Sequence, residues 1–278
     1  MSHETSERVH HMKYNQITYE TRGAVAVITL NRPDRLNAWT PTMSAEQAHA
    51  IGVANDDSSI GAIVMTGAGR GYCAGADMQD TFQKRISGTD PGDDTADGMG
   101  GLPRGLDWVQ LIRQCKPIIA AINGPAIGVG LTMSLPMDQI IAEPQAKIGT
   151  GFIKMGLVPE LASTRLLAAR VGMGQASDLF LSGRVITGEQ AFAIGLVDQL
   201  CEPGQILEHS LTVANSYAAN PDLQLSMIKS LITANLVETD LTEVQRRETQ
   251  MLIKCWESSE HREAVAAFIE KRPAVFRP

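Results

Sequence analysis

A mixed α/β core followed by an all-helical C-terminal region is the fold class that three observations predict. Apolar, β-branched runs ending in glycines recur ahead of helical spacing. Beyond about Glu202 the pattern turns wholly helical. The chain has 278 residues, 44% hydrophobic and 20% charged, enough for one large α/β domain with a smaller unit appended. The expected organisation is a disordered polar leader over 1–12, an α/β core over 13–201 and a helical region over 202–278.

"QITYETRGAVAVITLNRP" reads as two short strands about a Gly turn, because β-branched residues dominate and Pro33 closes the run. "SAEQAHAIGVA" then carries helical spacing, "GAIVMTGAG" returns to an apolar strand, and "KPIIAAINGPAIGVG" repeats that grammar. Between those last two, "SGTDPGDDTADGMGGLP" is Gly, Asp and Pro with almost nothing apolar. It cannot supply a core face, so a mobile surface loop is expected over 86–103. "ILEHSLTVANSYAA", "LQLSMIKSLITANL", "LTEVQRRETQMLIKCWE" and "HREAVAAFIEK" follow as amphipathic helical segments.

A net charge of −7 argues against a nucleic-acid surface, which needs a basic patch able to neutralise several phosphates. A local basic pocket for one small anionic ligand is compatible with it. No apolar stretch reaches the roughly 18 residues that span a bilayer, and Met1 to Asn15 lacks the apolar core of a signal peptide, so a cytoplasmic protein without a membrane partner is expected. Cys73, Cys115, Cys201 and Cys255 are far apart and form neither a CxxC nor a Cys/His cluster. Reduced, mostly buried thiols and no metal are the expectation. His49, His209 and His261 are isolated, and no GxSxG elbow is present.

Three stretches remain for chemistry. "GAGRGYCAGADM" sets four glycines among small residues between Gly67 and Met78, in neither of the familiar nucleotide-loop spacings. On composition alone, a tight turn explains it. "NGPAIGVGLTMSLPMD" is a second such turn, in which Gly128 and Gly130 lead into a short apolar helix. Two loops that each end a strand and offer backbone donors can together hold one developing oxyanion without a metal. "GFIKMGLVPELAST" places Glu160 directly after Pro159, and its plain reading is a helix start, with Pro at the first position and an acid in the first turn.

With "VITLNRPDRLNA", "GRGYCAGADM", "PIIAAINGPAIGVG" and "EHREAVAAFIEKRP" in this order and spacing, the chain resembles the enoyl-CoA hydratase/isomerase, or crotonase, superfamily from about Ile17 to Phe276. The resemblance implies a spiral of ββα units with a C-terminal helical trimerisation region. It implies an acyl-CoA thioester substrate, a homotrimer or dimer of trimers, and no cofactor beyond the coenzyme A of the substrate. By motif position the thioester oxygen would be held by the N–H groups of Ala76 and Val129. Val129 departs from the glycine usual in the family, yet a valine still donates its N–H. Coenzyme A contacts carry over to Arg35 and Leu36, to Ala74 and Met78, and to Phe268 with Lys271 in the last helix.

The hydratases of this family use two glutamates, and those places here hold Thr132 and Phe152, neither of which exchanges a proton near neutral pH. Glu160 instead matches the single catalytic glutamate of a group of Δ3,Δ2-enoyl-CoA isomerases, in "VPE". The expected activity is therefore a double-bond shift in an enoyl-CoA thioester. The alternatives are an enoyl-CoA hydratase using Glu160 with a bound water, and a non-catalytic acyl-CoA-binding scaffold.

Overall fold

The computed structural model describes residues 13–83, 86–88, 102–103 and 105–277. The expected leader at 1–12 and most of the expected loop at 86–103 lie outside the described residues. Strands β1 (Ile17–Arg22) and β2 (Val25–Leu30) pair antiparallel, with Ile17 opposite Leu30. Four further strands, β3 (Ala62–Gly67), β4 (Ile118–Ile122), β6 (Gln139–Ala142) and β9 (Gln199–Leu200), continue the sheet in parallel in the order β1-β2-β3-β4-β6-β9. A second, three-stranded sheet joins β5 (Ala126–Ile127), β7 (Lys147–Gly149) and β8 (Val185–Thr187).

Helices α1 (Pro41–Asp56), α2 (Trp108–Gln114), α3 (Val129–Thr132), α4 (Ser163–Ser182), α5 (Gly188–Ala193) and α6 (Ile206–Ala218) fall between and after the strands. The chain closes with α7 (Asp222–Asn235), α8 (Leu241–Trp256) and α9 (Ser259–Glu270). These make the expected spiral of β–β–α units with helices at the C-terminal end.

β2, β3 and β4 are apolar at almost every position instead of alternating, because their sheet is covered on both faces. Ala26, Ile28, Ile63, Met65 and Ala120 point into the main core, while Val25, Val27, Val64, Ile119 and Ala121 point the other way. Leu211, Ala214 and Ala218 of α6 seal that second face. The first helix beyond Glu202 thus closes the α/β core, and the packing then runs from α7 to α8 to α9. α1 starts where it does because Thr40 accepts a hydrogen bond from the Met43 N–H and Pro41 occupies the first turn.

The loops after β2, β3 and β4 leave the same, C-terminal edge of a parallel sheet, where ligands bind in open α/β folds. They are "NRPDRLN", "AGRGYCAGAD" and "NGPAIGVG".

Candidate active site

The two glycine turns are joined to each other by a rung of parallel pairing. Cys73 N–H donates to Pro125 O at 2.8 Å and Ile127 N–H donates to Cys73 O at 3.0 Å, so Cys73 and Ala126 run side by side. Ala76 and Val129 each lie three residues further on. Gly130 packs directly on Cys73 O; a Cβ there would fall inside the carbonyl's van der Waals envelope.

Peptide planarity fixes where the two amides point. A trans peptide sets N–H opposite to the preceding C=O. Gly75 O accepts from Trp39 N–H at 2.8 Å, which turns Ala76 N–H away from the Trp39 segment. Gly128 O accepts from Leu131 and Thr132 N–H, both at 3.0 Å, which turns Val129 N–H outward from the start of α3. Among the described residues, neither amide donates a hydrogen bond. Both are main-chain donors on turns that adjoin through the Cys73–Ala126 rung.

A polar scaffold holds the first turn. Asn37, wholly buried, donates from Nδ2 to Ala68 O at 2.9 Å and to Gly71 O at 2.7 Å, while its Oδ1 accepts from Arg32 N–H at 2.8 Å. Arg32 also pairs with Asp77 at 2.9 Å, one residue beyond Ala76. Removing Asn37 orphans two carbonyls and one N–H. Asn37→Ala is expected to lower unfolding stability by about 2–4 kcal/mol, read as a fall in denaturant midpoint at constant slope. An unchanged midpoint would show that the turn stands without it.

Of the residues expected at the coenzyme, four gather around this turn. Arg35 ends a short helical turn and reaches Gln79 Oε1 at 3.3 Å, and Leu36 O accepts from Ala74 N–H at 3.0 Å. Met78, the next residue after Asp77, is 55% exposed. Phe268 and Lys271 lie elsewhere, on and just after α9, which packs against α8. Phe268 is 86% exposed, so it is no core residue; its ring faces solvent.

Glu160 is not a helix-start acid. α4 begins at Ser163 with no acid in its first turn, and Glu160 sits ahead of it in an irregular segment. Leu161 and Ala162 both adopt left-handed backbone, φ 54° and 53°, an arrangement that costs about 1–3 kcal/mol per residue and persists only where the surroundings impose it. Leu161 is buried in the same core cluster as Val129, and so anchors the half-buried Glu160. Of the two positions that hold glutamates in hydratases, Thr132 is wholly buried with its hydroxyl unpartnered, and Phe152 is half-buried in a short turn.

Cys73, at the junction of the two turns, offers no competing chemistry, because burial pushes its thiol up to about 11 and it is neutral near pH 7. Among the described residues no cluster of His, Cys, Asp and Glu could hold a metal ion, and no helix is long and apolar enough to cross a membrane.

Sequence reading missed Trp39 and Trp108. They stack edge to face at 5.6 Å and 83° behind the turns, each 1% exposed. No periodicity links residues so far apart in sequence, and no local pattern marked either tryptophan as a support for the glycine turns.

Two glycine turns at the C-terminal edge of a mostly parallel sheet, joined by the Cys73–Ala126 rung and each carrying a main-chain N–H, define a protein whose site is built from backbone donors. The enoyl-CoA hydratase/isomerase family model matches residues 20–278. A short-chain-enoyl-CoA hydratase of Clostridium acetobutylicum is 30% identical over 94% of this chain and 97% of its own. A 1,2-epoxyphenylacetyl-CoA isomerase of Escherichia coli is 34% identical over 91% and 94%. The crystal structure of an enoyl-CoA hydratase from Mycobacterium tuberculosis superposes with a TM-score of 0.80 at 27% identity, covering 94% of this chain and 98% of that one. The protein is an enzyme of the enoyl-CoA hydratase/isomerase family and has the crotonase fold.

Proposed function

We propose that the protein shifts a double bond in an enoyl-CoA thioester, with Ala76 and Val129 N–H holding the thioester oxygen and Glu160 as the single acid/base. The observation that carries this reading is the distribution of carboxylates. Thr132 and Phe152 stand where paired glutamates would activate water, and Glu160 is displaced from its helix into a strained, core-anchored turn.

Isomerisation needs only one such group. Glu160 removes a proton from C2 of a 3-enoyl thioester, the electron pair moves onto the thioester oxygen, and a dienolate forms. The two amides stabilise that charge where it develops. The same carboxylate returns the proton at C4, leaving the double bond between C2 and C3, conjugated with the thioester. Arg35, beside Ala74 and Met78, supplies a guanidinium for a coenzyme phosphate.

A second reading is hydration of a 2-enoyl-CoA by Glu160 and an oriented water, and it is favoured by the hydratase names of several relatives. Conjugated thioester absorbance separates the two, rising from a 3-enoyl-CoA under isomerisation and falling from a trans-2-enoyl-CoA under hydration.

A further inference from the structure

We infer that the Trp39–Trp108 pair is the positioning element that sets the spacing between the two amide donors. The inference rests on the donor assignment above. Each donor follows a glycine that L side chains could not replace: Gly75 at φ 109°, and Gly128 at φ 57°, ψ −122°. The peptide that carries each donor is therefore held by what bonds to the glycine's carbonyl, Trp39 N–H at Gly75 and Leu131 and Thr132 N–H at Gly128. The Cys73–Ala126 rung and, in the second turn, the bond from Gly128 N–H to Gly149 O at 2.9 Å restrain the turns on the near side of these glycines, and the spacing of the donors then depends on what holds the far side.

The tryptophans fix it. Trp39 grips the first turn on both sides of the donor through its main chain, its backbone N–H donating to Gly75 O at 2.8 Å and its backbone O accepting from Asp77 N–H at 2.8 Å, which sets its indole against that turn. Trp108 grips the second at the far end of α3, where its Nε1–H donates to Met133 O at 2.9 Å. Met133 N–H in turn donates to Val129 O at 2.9 Å, so the indole holds the single helical turn whose first residue is the donor. Ring contact between the two indoles then ties one grip to the other. Space-filling alone requires neither the Nε1–H bond nor its attachment to this particular helix.

Trp108→Phe removes the donor at Met133 O and keeps an aromatic ring against Trp39. Turnover is expected to fall on the order of 10- to 100-fold with KM nearly unchanged, less than the loss of a whole donor, because a displaced amide still binds. The acidic limb of the pH profile, which reports the base, should stay where it is. A bound conjugated enoyl thioester should lose part of the red shift that polarisation of its carbonyl produces. A 3-benzothienylalanine at position 108 keeps the indole shape, replaces only the N–H, and should reproduce these effects without a packing change. Trp256→Phe, on exposed α8, is the control and should retain parental turnover. Parental turnover and a full red shift in folded Trp108→Phe or the benzothienyl variant overturn the positioning role. A parental enzyme that leaves the bound thioester's spectrum unshifted contradicts the donor assignment itself.

Discussion

Glu160→Gln is expected to lower turnover of a 3-enoyl-CoA by roughly 10² to 10⁴-fold while acyl-CoA binding persists, the range for loss of a general acid–base group. The amide keeps the size of the side chain and most of its hydrogen bonding, so Leu161 and the left-handed turn behind it should stay in place. What disappears is the capacity to accept a proton at C2 and return it at C4. The base works deprotonated, so parental turnover declines as pH falls through its pKa; residual turnover in the variant should show no such limb. Stopped-flow absorbance of the conjugated product, with binding followed separately, measures both. Parental turnover in Glu160→Gln would reduce the carboxylate to a structural residue.

Val129→Pro carries the second large effect. Val129 is the first residue of α3, where proline's missing N–H breaks no intrahelical bond and its fixed φ suits the helix start. The preceding Gly128 supplies a backbone free of a Cβ to clash with the proline ring. The substitution therefore deletes one donor and leaves the helix standing. Loss of one donor of an oxyanion hole costs about 10² to 10³-fold in turnover. Near-UV circular dichroism establishes that the variant is folded, and an unchanged rate in a folded variant would remove Val129 from the site.

The parts of the molecule legible in the sequence are those with strong local patterning. β2, β3 and β4 announce themselves as apolar runs because both faces of their sheet are buried, and α6 to α9 because each carries an apolar stripe. The second sheet was not legible, since β5, β7 and β8 are two or three residues long and hold no periodicity. The Pro159–Glu160 pair misleads for a definite reason. Two left-handed residues, Leu161 and Ala162, intervene before the helix, and neither residue type favours that backbone locally; the core around Leu161 imposes it.

The candidate site divides the same way. Glycines marked both turns, yet their contact depends on the Cys73–Ala126 rung between segments far apart in the chain, which no local pattern encodes. Resemblance to a family, not periodicity, pointed to Ala76, Val129 and Glu160. The buried supports, Asn37 and the Trp39–Trp108 pair, required coordinates because their partners are backbone atoms of other loops. Arg35 with Leu36, Ala74 and Met78 was gathered by the first turn, whereas Phe268 and Lys271 were not brought to it.

The most direct measurement is to give the purified enzyme a 3-enoyl-CoA and, separately, a trans-2-enoyl-CoA of equal chain length, and to follow conjugated thioester absorbance in each. A single carboxylate working with two amide donors predicts a rise with the 3-enoyl-CoA, abolished by Glu160→Gln, and little loss of signal from the 2-enoyl-CoA. A silent 3-enoyl-CoA beside rapid loss of absorbance from the 2-enoyl-CoA would contradict it and establish water addition as the reaction.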